Sequence, residues 1–288
     1  MKLGFFSYLK TVMIALLIIL IYYNTFIWME DRWKNGSSYY SHGYLIPFVA
    51  GYLIWKERRR ICESTYSSSK WGIILFITGI CVQIGSVFLR VHFTSGISLI
   101  LVLLGIVFFF FGKNIGKQLL FPILFLITMV PMPLSVIAGL SLKLKLFAAD
   151  CAMSIISLIG IPAIQDGSKI YFSNASVVVG DVCSGLKSLI ALIAFGALFA
   201  YISPMSNYMK PILFIASIPA AMIANIIRIV IVCLVAKNWG TEIASGLVHD
   251  LTGILIFIIA FILLFCLSIG LRKLDRLFLS NKNRINAE

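Results

Sequence analysis

The chain has 288 residues, 60% of them hydrophobic and 12% charged, and its mean hydropathy is +1.02. A water-soluble domain is closer to half apolar, so composition excludes a single soluble core and points to a polytopic membrane protein. The formal charge of +13 comes without a basic, aromatic-interleaved soluble stripe, which argues against a nucleic-acid partner; in a membrane chain such charge fixes topology and meets anionic headgroups.

In chain order, the N-terminal run MKLGFFSYLKTVMIALLIILIYYNTFIWM is too long for a signal-peptide core, and no small-residue cleavage site follows it. It reads as a retained first span, residues 11–29. Seven more spans are expected at 44–55, 71–89, 95–112, 118–138, 183–202, 211–236 and 248–271, the second of them short. The expected fold is all-α, with about eight transmembrane helices in a single integral membrane domain, 1–288. Eight spans put both termini on one side. The loops on that side hold Lys2, Lys10, KERRR at 56–60, Lys70, Lys113, Lys117, Lys210 and the tail RKLDRLFLSNKNR, which is most of the 24 lysines and arginines. The positive-inside rule makes that side cytoplasmic.

The longest stretch between spans, about 139–182, then falls on the outer side. Its first part, GLSLKLKLFAADCAMSIISLIG, mixes charge with apolar residues at helical spacing and reads as an amphipathic helix lying along the interface. Its second part, IPAIQDGSKIYFSNASVVVGD, is punctuated by Gly167 and Asn174 and reads as a short β-hairpin before the sixth span.

Six cysteines occur, with no CxxC and no Cys/His set at zinc-like spacing. No metal and no organic cofactor is expected. Cys183 stands apart. It lies in GDVCSGLKSL at the edge of an apolar run, not inside one. At a helix N-terminus the dipole and backbone N–H groups stabilise a thiolate. Lys187 lies one turn later and adds positive charge; Asp181 opposes it. Ser184 follows the cysteine, and Gly185 lets a ligand approach the backbone. Arg228 lies inside the seventh span, where a charge costs at least about 2.5–3.5 kcal/mol and marks a cavity or a partner. Asn225 precedes it by three residues on the same helical face. His249 opens the eighth span. Near a thiolate, an imidazole serves as general base and then general acid. Arginine cannot be a base, so it stabilises anionic charge. Cysteine, arginine and histidine at the outer ends of three successive spans point to acyl transfer. His42, with Ser41, either lines the same cavity or anchors a loop at the interface beside Tyr39, Tyr40 and Tyr44. Pro131 and Pro133 are expected to kink or end the fifth span.

These residues also resemble a known family. DVCSGLKS resembles the cysteine signature of the exosortase/archaeosortase family, NIIR its arginine motif and VHD its histidine motif, in the expected order. YSHGYLIPFVAGYLIWKERRR at 40–60 and MVPMP at 129–133 resemble its N-terminal and fifth-span segments. The likeness runs from about residue 40 to 271. It implies a cysteine transpeptidase or protease in the cytoplasmic membrane of a prokaryote, with its active site facing the exterior or periplasm. Its substrates would be exported proteins ending in a short motif, a hydrophobic span and a basic cluster, and the acyl group would pass through a thioester to a nucleophilic acceptor. Cys183 would be the nucleophile, Arg228 the electrostatic stabiliser and His249 the acid/base. The chain has Val182 where many relatives have Ala, and Lys187 where many have Arg, which loses bidentate bonding there. A transporter, or a non-catalytic factor that only holds a substrate's tail helix, are the competing readings.

Overall fold

The computed structural model describes residues 5–35, 38–64, 67–180, 185–245 and 247–285, with side chains described outside 5–8, 10–11, 244–250 and 278–285. The chain divides into two compact units, Met1–Met132 and Pro133–Glu288.

The first unit holds helices α1 (Phe5–Ile21), α2 (Tyr23–Lys34), α3 (Leu45–Lys56), α4 (Arg58–Glu63), α5 (Lys70–Leu89) and α6 (His92–Phe125). The expected first span is bent by 68° between α1 and α2. A buried polar network sits at that break. Gln83 Nε2 donates to the Ile21 carbonyl at 3.2 Å, and Gln83 Oε1 accepts from Ser95 and Ser98. Tyr22 and Thr25 join through Ser98 and Ser95. A helix break frees backbone groups that hydrocarbon cannot satisfy, and these side chains take that role. The expected third span corresponds to α5.

The expected fourth span lies in the first arm of α6. Gly112 breaks that helix with φ 80° and ψ −174°, a conformation glycine adopts without strain. Ile100 and Leu104 before the break share one buried cluster with Ile115, Leu119 and Ile123 after it, so the two arms fold back on each other. The expected fifth span, 118–138, is not one helix. Pro131 cannot donate and disfavours helix at the residue before it. The chain therefore runs through a 3-10 turn, Leu126–Met129, into extended backbone at Val130, and restarts as a new helix at Leu134.

The backbone freed at this interruption is held by the segment around Ser41–Tyr44. Trp33 Nε1 donates to the Met129 carbonyl at 3.0 Å, the Tyr40 hydroxyl bonds the Met132 backbone, and His42 donates to the Thr128 carbonyl. The two segments singled out in sequence as YSHG and MVPMP thus meet. Tyr40 stacks on His42 with ring centroids 5.9 Å apart. Burial pushes the His42 imidazole below its ordinary value, and the Thr128 carbonyl opposes this in part. Its Nε2 is enclosed, with no partner among the described residues. Protonation there would bury a charge and an unpaired donor. Because the folded pKa is depressed, the unfolded chain binds the extra proton first. Stability is full above the unfolded value of about 6.5 and is lost as pH falls through the lower, folded value. The thermal midpoint of the purified protein is expected to drop as pH falls below the ordinary histidine value of about 6.5, and His42→Asn to flatten that drop.

The second unit holds α7 (Leu134–Leu158), strands β1 (Ile164–Asp166), β2 (Lys169–Tyr171) and β3 (Ser176–Val178), then α8 (Leu186–Ile202), α9 (Met209–Trp239), α10 (Thr241–Ser245) and α11 (Leu247–Ile285). The expected hairpin region forms a three-stranded antiparallel sheet, β1-β2-β3, in register Ile164↔Tyr171 and Ile170↔Val177. α7 occupies the stretch expected as an amphipathic helix. It presents Ala148, Ala149, Ala152 and Ile156 to Ile229, Cys233 and Ala236 of α9, and Ile170, Val177 and Val179 close the same cluster from the sheet. Small residues let the helices approach closely. α8 and α9 are antiparallel: a Cβ on Gly196 would meet Ser217, and one on Gly185 would meet Asn225.

Among the described residues, four helical stretches are long and apolar enough to cross a membrane: Lys70–Leu89, His92–Met129, Met209–Trp239 and Leu251–Leu277. The bent pair at the N-terminus makes a fifth. The count falls below eight for physical reasons. His92–Met129 covers two expected spans as one hydrogen-bonded stretch that doubles back at Gly112. α3 has only 12 residues and α8 only 17, against about 20 for a helix normal to a bilayer. The chain is a multi-pass, mostly helical membrane protein.

Candidate functional site

Two of the sequence-selected residues, Cys183 and Ser184, lie outside the described residues, as does the side chain of His249. Gly185 and Lys187 are placed by α8, Asn225 and Arg228 by α9, and His42 by the turn Ser41–Tyr44 of the first unit.

Gly185 caps α8 with φ 75° and ψ −3°, a left-handed conformation that L side chains adopt only at a cost of roughly 1–2 kcal/mol. It is also pressed against α9. A Cβ built on it would stand 2.6 Å from both Cγ and Nδ2 of Asn225. Conformation and contact therefore demand glycine independently. Gly185→Ala is expected to push the start of α8 off Asn225, lowering the thermal midpoint of the purified protein and cutting activity at least about tenfold, since small misplacements of reacting groups cost that much or more.

Asn225 is 3% exposed and Arg228, one turn further along α9, is 6% exposed. Arg228 faces protein, not lipid. Its Nε donates to Thr252 Oγ1 at 3.3 Å, and Thr252 is itself buried in α11. Sequence reasoning did not select Thr252. The available signal was its position, three residues after His249 and so on the same face of the same helix. Lys187 sits in the first turn of α8 and is half-buried. His42 belongs to the first unit, and its partners Tyr40 and Thr128 lie there too.

The first turn of α8 is level with Asn225, and α9 continues from there to Trp239, a further ~21 Å of helix axis.

Beside this point lies a narrow crevice between α7, α8 and α9, with a volume of about 10 Å³, room for about one water. Leu144, Phe147, Leu189 and Met222 line it, with Gly185 and Asn225 at its polar end. Chemically the arrangement offers a fixed guanidinium, an amide and a helix N-terminus, all suited to anionic charge. No group of three or more metal-ligating side chains occurs among the described residues.

Comparison with curated proteins and with solved structures gave no match. A family model described as transmembrane exosortase matches residues 33–266, a range that takes in the YSHG and MVPMP segments, the sheet, α8, α9 and the first half of α11. The chain belongs to the transmembrane exosortase family.

Proposed function

We propose that the chain is a cysteine transpeptidase that cleaves the C-terminal sorting signal of exported proteins through a thioester on Cys183, on the outer face of the cytoplasmic membrane. One observation carries the reading: the helices bearing the three motifs meet where the motifs are. Gly185, two residues from Cys183, abuts Asn225, and Arg228 on the next turn bonds Thr252, three residues from His249.

In the reaction, His249 takes the Cys183 proton and the thiolate attacks the scissile carbonyl. The carbon–oxygen π pair moves onto oxygen, and Arg228 stabilises that charge. Collapse re-forms the carbonyl and breaks the carbon–nitrogen bond. The amine leaves with the proton from His249, and the acyl group remains as a thioester. A nucleophilic acceptor then attacks the thioester and regenerates the thiol. Thr252 holds the Arg228 fork through Nε.

Acid quenching during turnover tests this. A covalent adduct on Cys183, labile to hydroxylamine and carrying the substrate's N-terminal portion, is the expected result. Cleavage without any adduct on the cysteine excludes the thioester route.

A further inference from the structure

The sheet has one edge that the proposed reaction does not yet use. β3 is an outer strand. Its inward bonds are made by alternate residues: the Ala175 carbonyl accepts the Phe172 N–H at 2.8 Å, Val177 pairs with Ile170, and the Val179 N–H donates to Ser168 at 2.9 Å. Antiparallel pairing alternates, so the main-chain groups of Ser176 and Val178 point away from β2. The Ser176 N–H reaches Thr241 Oγ1 at 3.4 Å. The Val178 carbonyl accepts the Gly180 N–H at 2.9 Å; for the Val178 N–H no partner occurs among the described residues, and the Val178 side chain is 52% exposed.

The path of this strand matters more than its exposure. Asn174, just before β3, donates to the Lys237 carbonyl near the C-terminal end of α9 at 2.7 Å. Val177 and Val179 then pack in the cluster that holds Ile229, Val232, Cys233 and Ala236. Gly185 touches Asn225. β3 therefore descends along α9 toward the depth of Arg228, and the chain reaches Cys183 five residues after Val178. At its upper end the edge is flanked by Thr241, whose short helix leads into α11 and His249.

We infer that this edge of β3 is the docking rail for the substrate: the extended peptide segment on the amino side of the scissile bond adds to it as a further strand, held by the outward Ser176 carbonyl and Val178 N–H. The inference rests on the reading of Cys183 as nucleophile. A sheet edge selects extended polypeptide because only a peptide backbone supplies donors and acceptors at strand spacing. Lipid tails supply none. Main-chain bonding fixes how far the peptide is fed along α9 and leaves side-chain pockets to set the sequence preference.

The test uses the full-length protein in membranes, with the uncleaved precursor that accumulates in Cys183→Ala cells as the probe. A photo-crosslinking amino acid is placed at Val178 in the Cys183→Ala background, and separately at Ile164, an exposed residue on the opposite edge strand. The expected adduct from position 178 maps to the precursor residues just before its hydrophobic C-terminal span, with none from position 164. Equal adducts from both positions, an adduct to another copy of this chain, or none from 178 overturns the proposal. In parallel, Val178→Pro removes the outward N–H without touching a bond to β2. It is expected to raise KM at least tenfold with kcat little changed. Wild-type KM for Val178→Pro overturns the docking rail and leaves the nucleophile standing. Continued cleavage by Cys183→Ala overturns the nucleophile reading itself.

Discussion

Cys183→Ala is expected to lower precursor processing by at least about 10³-fold while the protein inserts at its normal level. The magnitude follows from the chemistry. Covalent catalysis splits amide cleavage into two easier steps, and no other thiol can take over at this place. Cys233, the described cysteine on α9, is fully buried in the cluster against α7 and the sheet. The other described thiols, Cys62, Cys81, Cys151 and Cys266, lie on different elements. Cys183→Ser is expected to fall almost as far, because a hydroxyl is a much weaker nucleophile at neutral pH than a thiol with partial thiolate character. The measurement is the ratio of precursor to mature protein on immunoblots, with the membrane level of the variant as control. Processing at the normal rate by Cys183→Ala removes the nucleophile assignment.

Arg228 gives the second large effect, and its signature is a separation of activity from stability. Arg228→Lys keeps the positive charge but loses the planar fork and the Nε donation to Thr252. Activity is expected to fall about 10²–10³-fold, the range for loss of one preorganised oxyanion donor. Arg228→Leu is expected to be as inactive yet to insert at least as well as the wild type. It removes a charge whose placement inside a span costs at least about 2.5–3.5 kcal/mol. A purely structural arginine behaves in the opposite way: Arg228→Leu would cut membrane levels, and Arg228→Lys would keep full activity. Kinetics and thermal midpoints on the two variants decide between these patterns. Thr252→Val adds a smaller step, since it leaves the guanidinium in place and frees only its orientation.

The amino-acid sequence alone determined the class of this protein. An apolar fraction of 60% with long uncharged runs leaves a chain no alternative to a bilayer, and this property is local enough to read residue by residue. The sequence likewise singled out α8, α9 and the start of α11 as the elements proposed to carry chemistry. A thiol at the edge of an apolar run, an arginine inside one and a histidine at the start of another are all costly or unusual where they stand. It also named the proline segment and YSHG.

What it could not supply was any relation that depends on two distant elements meeting. The break at Tyr22 is set by Gln83, 61 residues later, whose side chain satisfies the freed Ile21 carbonyl. The fold-back at Gly112 shows as one continuous apolar run, because hydropathy carries no record of a φ angle. Thr252 reads as an ordinary residue of an apolar helix until Arg228 of another helix donates to it. The level at which α8 begins was decided the same way. Hydropathy marks where an apolar run starts along the chain, whereas its depth follows from which residues pack side by side. Here a glycine with no side chain let α8 settle against Asn225 and not against the end of α9. Local composition fixes what each segment is; the close packing of side chains from remote segments fixes where its reactive groups come to lie.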